Sequence, residues 1–132
     1  MNRVKIFALN DQFNPGDRGW AFFPFQAGLG LSPAGCDLVS LHMVKTRPGA
    51  RRGNHRHPES AEWLYVYGGN ASFYWQEEAK VKEALLNKGA HAVYIPADTA
   101  HAIKNTGTGP FYLTAFREVS SQCPHAVEAV IV

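Results

Sequence analysis

Residues 49–70 read GARRGNHRHPESAEWLYVYGGN. His55 and His57 are separated by a single residue, so on an extended backbone both imidazoles project from one face while Arg56 points the other way. After a turn through Pro58, Glu62 opens an aromatic and β-branched run in which Glu62, Leu64 and Val66 share one face and Trp63, Tyr65 and Tyr67 the other. Gly68-Gly69-Asn70 is a hairpin signal that leads into a second such run, Ala71–Gln76. Residues 89–105 read GAHAVYIPADTAHAIKN, which sets His101 at the start of another strand, just past a turn at Pro96–Asp98. A closed barrel would bring His55, His57, Glu62 and His101 to one inward point. Neutral imidazoles with one carboxylate suit a single divalent transition metal (Zn, Fe, Mn, Ni or Co) better than Ca or Mg, and a six-coordinate ion so held keeps open positions for water or substrate.

Outward from these stretches the chain keeps the same character. Lys5–Leu9 is apolar, Asn10–Gly19 reads as loop, Trp20–Phe25 as strand and Gly28–Asp37 as a second long loop. Leu38–Val44 alternates as a strand, and Arg47–Asn54 reads as a turn. Glu77–Leu86 is rich in Ala, Glu, Lys and Leu, which favours helix by propensity; a barrel of short, evenly spaced strands instead requires a connection and a strand there. Ala92–Ile95, Ala100–Asn105 and Phe111–Arg117 follow as strands, and Ala126–Val132 as an edge strand. With 132 residues, one domain spanning 1–132 is expected, with a core that needs no staples. The expected fold class is all-β.

A formal charge of +2, with basic residues scattered apart from Arg51-Arg52, argues against a nucleic-acid partner. No apolar run approaches the roughly 20 residues of a membrane helix, so a cytoplasmic protein with no membrane partner is expected. Cys36 and Cys123 lack metal-pair spacing and take no role in this reading.

The two quoted stretches resemble the motifs of the cupin superfamily. The first has a glycine, five residues, HxH, four residues, a glutamate and then the hairpin glycine; the second aligns Pro96, Asp98, His101 and Asn105 with PxGxxHxxxN. It departs at Asp98, where the family usually has glycine, and in a glycine-to-proline spacing one residue longer; an aspartate tolerates the left-handed turn a glycine would take. The resemblance implies a single double-stranded β-helix, or jelly-roll, barrel, an ion held by all four named residues, and a homodimer. It does not imply one reaction.

A weaker similarity extends to cupins acting on nucleotide sugars, through Asp17-Arg18-Gly19, Arg52-Gly53-Asn54-His55 and Asn105-Thr106-Gly107. It implies a small-molecule ligand, a sugar or nucleotide-sugar, and an isomerase or epimerase. Arginine clamps phosphate bidentately, which makes Arg47, Arg51, Arg52 and Arg117 the candidate substrate-binding residues. His42, Tyr94 and Tyr112 are the strand residues that would move a proton beside the metal. His91 and His125 sit by turns and are expected at the surface. Two other readings share the ligand set: an Fe(II)-dependent dioxygenase and a non-catalytic sugar-binding module. The Trp63/Tyr65/Tyr67 stripe is expected to meet either a second subunit or the N-terminal segment.

Overall fold

The computed structural model describes residues 3–9, 14–16, 19–21, 37–87, 89–119 and 126–132. Expectations for 22–25, Asp17, Arg18, Cys36, Cys123 and His125 lie outside these residues. Two five-stranded antiparallel sheets face each other. The first has the order β1 (Lys5–Ala8), β9 (His91–Ile95), β6 (Glu62–Tyr67), β11 (Phe111–Val119) and β4 (Asp37–Thr46). The second runs β12 (Val127–Glu128), β5 (Arg51–Arg56), β10 (His101–Asn105), β7 (Ala71–Glu77) and β8 (Lys80–Leu86). A short hairpin, β2 (Asn14–Gly16) with β3 (Gly19–Ala21), stands apart from both sheets. The expected all-β jelly roll is therefore the architecture observed.

Strand alternation places the core. Leu64, Val66, Phe73, Val93, Ile95, Ile103, Phe111 and Leu113 point between the sheets as one apolar cluster, with Phe73 and Phe111 fully buried. On the outer face of the first sheet a second cluster forms from Leu9, Tyr65, Ala90, Ala92 and Phe116, flanked by Phe7, Trp63 and Tyr67. Phe7 lies 6.3 Å from Trp63 and Tyr65 stacks on Phe116 at 5.9 Å between centroids. The aromatic stripe is thus largely covered by the chain itself, by Phe7 of β1 and by Leu9 just after it. Leu41 and Met43, on the outer face of β4, remain 62% and 78% exposed.

Helix propensity does lose over Glu77–Leu86. The β7–β8 hairpin turns on Glu78 and Ala79, both at positive φ (51° and 63°), the conformation a two-residue hairpin demands of its central residues. The expected turn over Arg47–Asn54 is half strand, because β5 begins at Arg51. His91, expected at the surface, is buried on the inward face opposite Val66.

Candidate metal centre and pocket

The segment before His55 contains one residue more than its partner strand. Between His101↔His55 and Ala102↔Gly53 the β5–β10 ladder skips Asn54, a bulge made by Gly53 (φ 89°) and Asn54 (φ 54°). The extra residue puts Arg52, His55 and His57 all on the pocket wall although they are spaced three and then two apart. Only glycine fits at 53, since a Cβ there would stand 2.9 Å from the His101 carbonyl oxygen. Asn54 is held in its strained conformation by the C-terminal segment. Its Oδ1 accepts from the Ile131 and Val132 amides, at 3.0 and 3.2 Å, and its carbonyl accepts from Ala129 N at 2.8 Å.

On the other side, Asp98 takes the position of the expected glycine at φ 62°. Its amide donates to His57 O at 2.7 Å, and its carboxylate pairs with Arg56. That turn aims His101 inward as β10 starts. Asn105, at the far end of β10, is a buried structural lock: its Nδ2 donates to Thr46 O and Gly109 O, and its Oδ1 accepts from Gly107 N. The Asn105-Thr106-Gly107 element is therefore turn chemistry at the opposite end of the strand from the cluster.

His55, His57, Glu62 and His101 converge as expected, with candidate ligand atoms all within 4.8 Å of one another. His57, Glu62 and His101 are buried, and His55 partly so. Burial would raise the Glu62 pKa, but the neighbouring His101 and His57 outweigh it and hold the carboxyl down at about 2. Desolvation, with the charges of His101 and His57, lowers His55 to about 4. His101 Nδ1 donates to the Thr99 carbonyl at 2.9 Å, which aims Nε2 at Glu62 Oε1, 3.2 Å away. A proton or a metal ion between these two atoms would satisfy both. His57 Nε2 is buried with no hydrogen-bond partner. That unsatisfied atom and the N/O donor set fit a divalent transition metal.

The cluster opens into a cavity of about 290 Å³. Leu64, Phe73, Ile103 and Leu113 form its apolar floor, and His42, Arg52 and Arg117 stand on its wall. Arg52 Nε donates to Thr46 Oγ1 at 3.0 Å and its Nη2 to Lys45 O at 3.2 Å, tying β5 to β4 across the open side of the barrel. Arg117 lies against His57.

The remaining expected site residues are elsewhere. Tyr94 pairs with Trp63 and Tyr112 with Tyr67 in the ladders, so both rings point outward, at 4.8 and 6.0 Å from those aromatics, and neither lines the pocket. The assignment of a proton-transfer role to Tyr94 and Tyr112 is corrected on that ground. Arg51 faces out, opposite Lys104 and near Tyr74, and Arg47 is an exposed turn residue, so neither belongs to the pocket wall. The feature that sequence reasoning missed is the bulge, whose signal was the Gly53-Asn54 pair just ahead of His55.

The cupin domain family model matches residues 42–116, more than half of the chain. The chain is a cupin. Among solved structures it is similar to the 3,4-ketoisomerase QdtA from Thermoanaerobacterium thermosaccharolyticum in complex with TDP, at 14% identity and TM-score 0.69, covering 97% of this cupin and 88% of that chain. It is similar also to the TDP-quinovose 3,4-ketoisomerase WlaRB from Campylobacter jejuni, at 18% identity and TM-score 0.68, covering 97% and 94%. A third is the capsular polysaccharide assembling protein CapF from Staphylococcus aureus, at 19% identity and TM-score 0.64, of which this cupin covers 90% of its own length but 34% of CapF. At these identities the likeness shows a shared fold. No curated protein sequence matches the chain. Among the described residues, no helix is long and apolar enough to cross a membrane.

Proposed function

We propose that this cupin holds one divalent transition metal through His55, His57, Glu62 and His101 and isomerises or epimerises a sugar or nucleotide-sugar in the adjoining cavity. The observation that carries the reading is the convergence of the three imidazoles and one ionised carboxylate at the head of a cavity whose wall holds further polar groups. Neighbours of the same fold whose names identify them as 3,4-ketoisomerases support the substrate class.

A bound divalent ion would supply a Lewis acid for a carbonyl oxygen. The chain's own residues do the rest. The apolar floor excludes water from the reacting carbons. His42, on the inward face of β4 opposite Ala115, is the pocket-wall residue placed to take a proton from the carbinol carbon beside the carbonyl and deliver it to the former carbonyl carbon, the carbinol hydroxyl proton passing to the former carbonyl oxygen. Arg52, pinned at the open side, is the phosphate-facing candidate for a nucleotide-sugar whose diphosphate stays at the mouth. Arg47 and Arg51 take no part.

The test is solvent exchange. A panel of deoxythymidine- and uridine-diphosphate sugars, including 4-keto sugars, incubated with metal-loaded protein in D2O, is expected to yield one member that gains deuterium next to its carbonyl. Oxygen uptake by the iron-loaded protein without such exchange would overturn the isomerase reading in favour of a dioxygenase. Tight binding with neither exchange nor oxygen uptake would favour a sugar-binding module.

A further inference from the structure

At His55 the strand β5 has two neighbours. His101 of β10 is the partner on one side and Glu128 of β12 the partner on the other. The second neighbour belongs to a segment, residues 127–132, that also closes over Asn54. Four hydrogen bonds join them. Asn54 Oδ1 accepts from the Ile131 and Val132 amides at 3.0 and 3.2 Å, Nδ2 donates to Val132 O at 3.2 Å, and the Asn54 carbonyl accepts from Ala129 N at 2.8 Å.

Those bonds hold the residue on which the arrangement of the site depends. In an unbulged strand residues 51, 53, 55 and 57 would share a face and residue 52 would take the other. Arg52, His55 and His57 line one wall because Asn54 is the extra residue of the bulge, and its φ of 54° is left-handed. A residue other than glycine keeps such a conformation only where its surroundings fix it. On the near side of the bulge, Arg52 is tied to Thr46 and Lys45. Relaxation of the bulge therefore falls on the far side, where His55 follows directly.

The segment itself is lightly attached. β12 pairs only through Val127↔Arg56 and Glu128↔His55, and Val127 and Val130 are 38% and 68% exposed. With little apolar surface covered, docking depends on the Asn54 bonds and that short ladder, which puts the segment among the parts of the molecule that open most readily. Such a contact responds to whatever fixes His55 from the pocket side.

We propose that Asn54 is a positioning residue of the metal centre and that residues 127–132 are its latch: docked on Asn54, the segment holds the bulge and keeps His55 in ligating position, and a bound metal in turn keeps the segment docked. The coupling is reciprocal, since the factor by which docking raises metal affinity is the factor by which metal favours docking. The inference rests on the proposed metal reading and goes beyond it, because it gives a part in the site to a segment that contributes no residue to the pocket lining.

Zinc alone is the probe, added to the whole chain. Affinity is read by competition with a chromophoric chelator, and docking by hydrogen exchange of the Ala129, Ile131 and Val132 amides. In the parent, zinc should slow these amides by about fivefold or more and leave the Thr106 amide, past the opposite end of β10, unchanged. Asn54→Gly suits the left-handed backbone but removes the side-chain bonds, and Ile131→Pro removes one amide donor while leaving Asn54 as it is. Each should lower zinc affinity by about fivefold or more, and Asn54→Asp, which keeps the oxygen acceptor, should fall between Asn54→Gly and the parent. If Asn54→Gly fails to fold by circular dichroism, Ile131→Pro decides. Zinc affinity equal to the parent's in Ile131→Pro, or in a folded Asn54→Gly, overturns the inference and leaves the metal centre standing. Zinc binding that does not slow the segment's amides in the parent overturns it as well. A parent that takes up no zinc removes the metal reading and the latch together.

Discussion

His101 Nε2 stands 3.2 Å from Glu62 Oε1, with its other ring nitrogen committed to the Thr99 carbonyl. The contact joins the two sheets at the head of the pocket, because His101 starts β10 and Glu62 starts β6. A buried imidazole nitrogen and a carboxylate oxygen at this distance are satisfied by a proton or a metal ion held between them. Glu62→Gln keeps the shape and removes the charge. It is expected to lower metal affinity at least tenfold, as read by competition with a chromophoric chelator, and to leave the fold intact by circular dichroism.

The bulge makes a sharper structural prediction. Gly53→Ala forces a Cβ against the His101 carbonyl at a backbone conformation that L residues rarely adopt. The expected cost is more than about 1 kcal/mol, the scale for an incompatible glycine replacement, with metal affinity falling alongside because His101 and His55 are paired at that point. Chemical denaturation with parallel metal analysis reads both. Unchanged stability would mean that the bulge relaxes freely.

How much of this was legible in the sequence follows from what alternation can and cannot report. The period of two set His55 beside His57, and Glu62 beside Leu64 and Val66, and those faces hold in the structure. The same rule fails across an inserted residue: which of Arg51 and Arg52 turns inward depends on the Gly53-Asn54 bulge, visible only once β5 is laid against β10. Tyr94 lies between Val93 and Ile95, whose inward side chains already consign it to the outer face. Proximity to the Gly89 turn suggests a surface His91, but its in-phase spacing with Val93 and Ile95 turns it inward. The Glu78-Ala79 turn carries no glycine or asparagine to announce it, and the strand pairing of β7 with β8 imposes it.

A pH dependence follows from His55. Its folded-state pKa, lowered to about 4 by burial and by the charges of His101 and His57, lies below its ordinary 6.5. The folded state therefore binds fewer protons than the unfolded chain over that interval, and the stability contributed by neutral His55 is present above pH 6.5 and lost as pH falls toward 4. Thermal melts of metal-free protein across this window should show a falling Tm, and His55→Gln should flatten the slope. A parent whose Tm is constant from pH 6.5 to 4 contradicts the assignment.

We propose a homodimer that uses the outer face of β4. Leu41 and Met43 remain open there, beside Tyr112, while the neighbouring Tyr65 is already covered. Light scattering at low micromolar concentration should give twice the 14.6 kDa chain mass, and Leu41→Glu with Met43→Lys should give the single mass. A dimer unaffected by both substitutions would place the contact on another surface.

The most direct test of the central claim is elemental analysis of protein purified without added metal, the parent beside His57→Ala. The account predicts about one transition-metal ion per parent chain and a near-complete loss in the variant, since His57 Nε2 is a buried member of the four-residue set. A parent with only traces of metal, or a variant that retains as much as the parent, would contradict it.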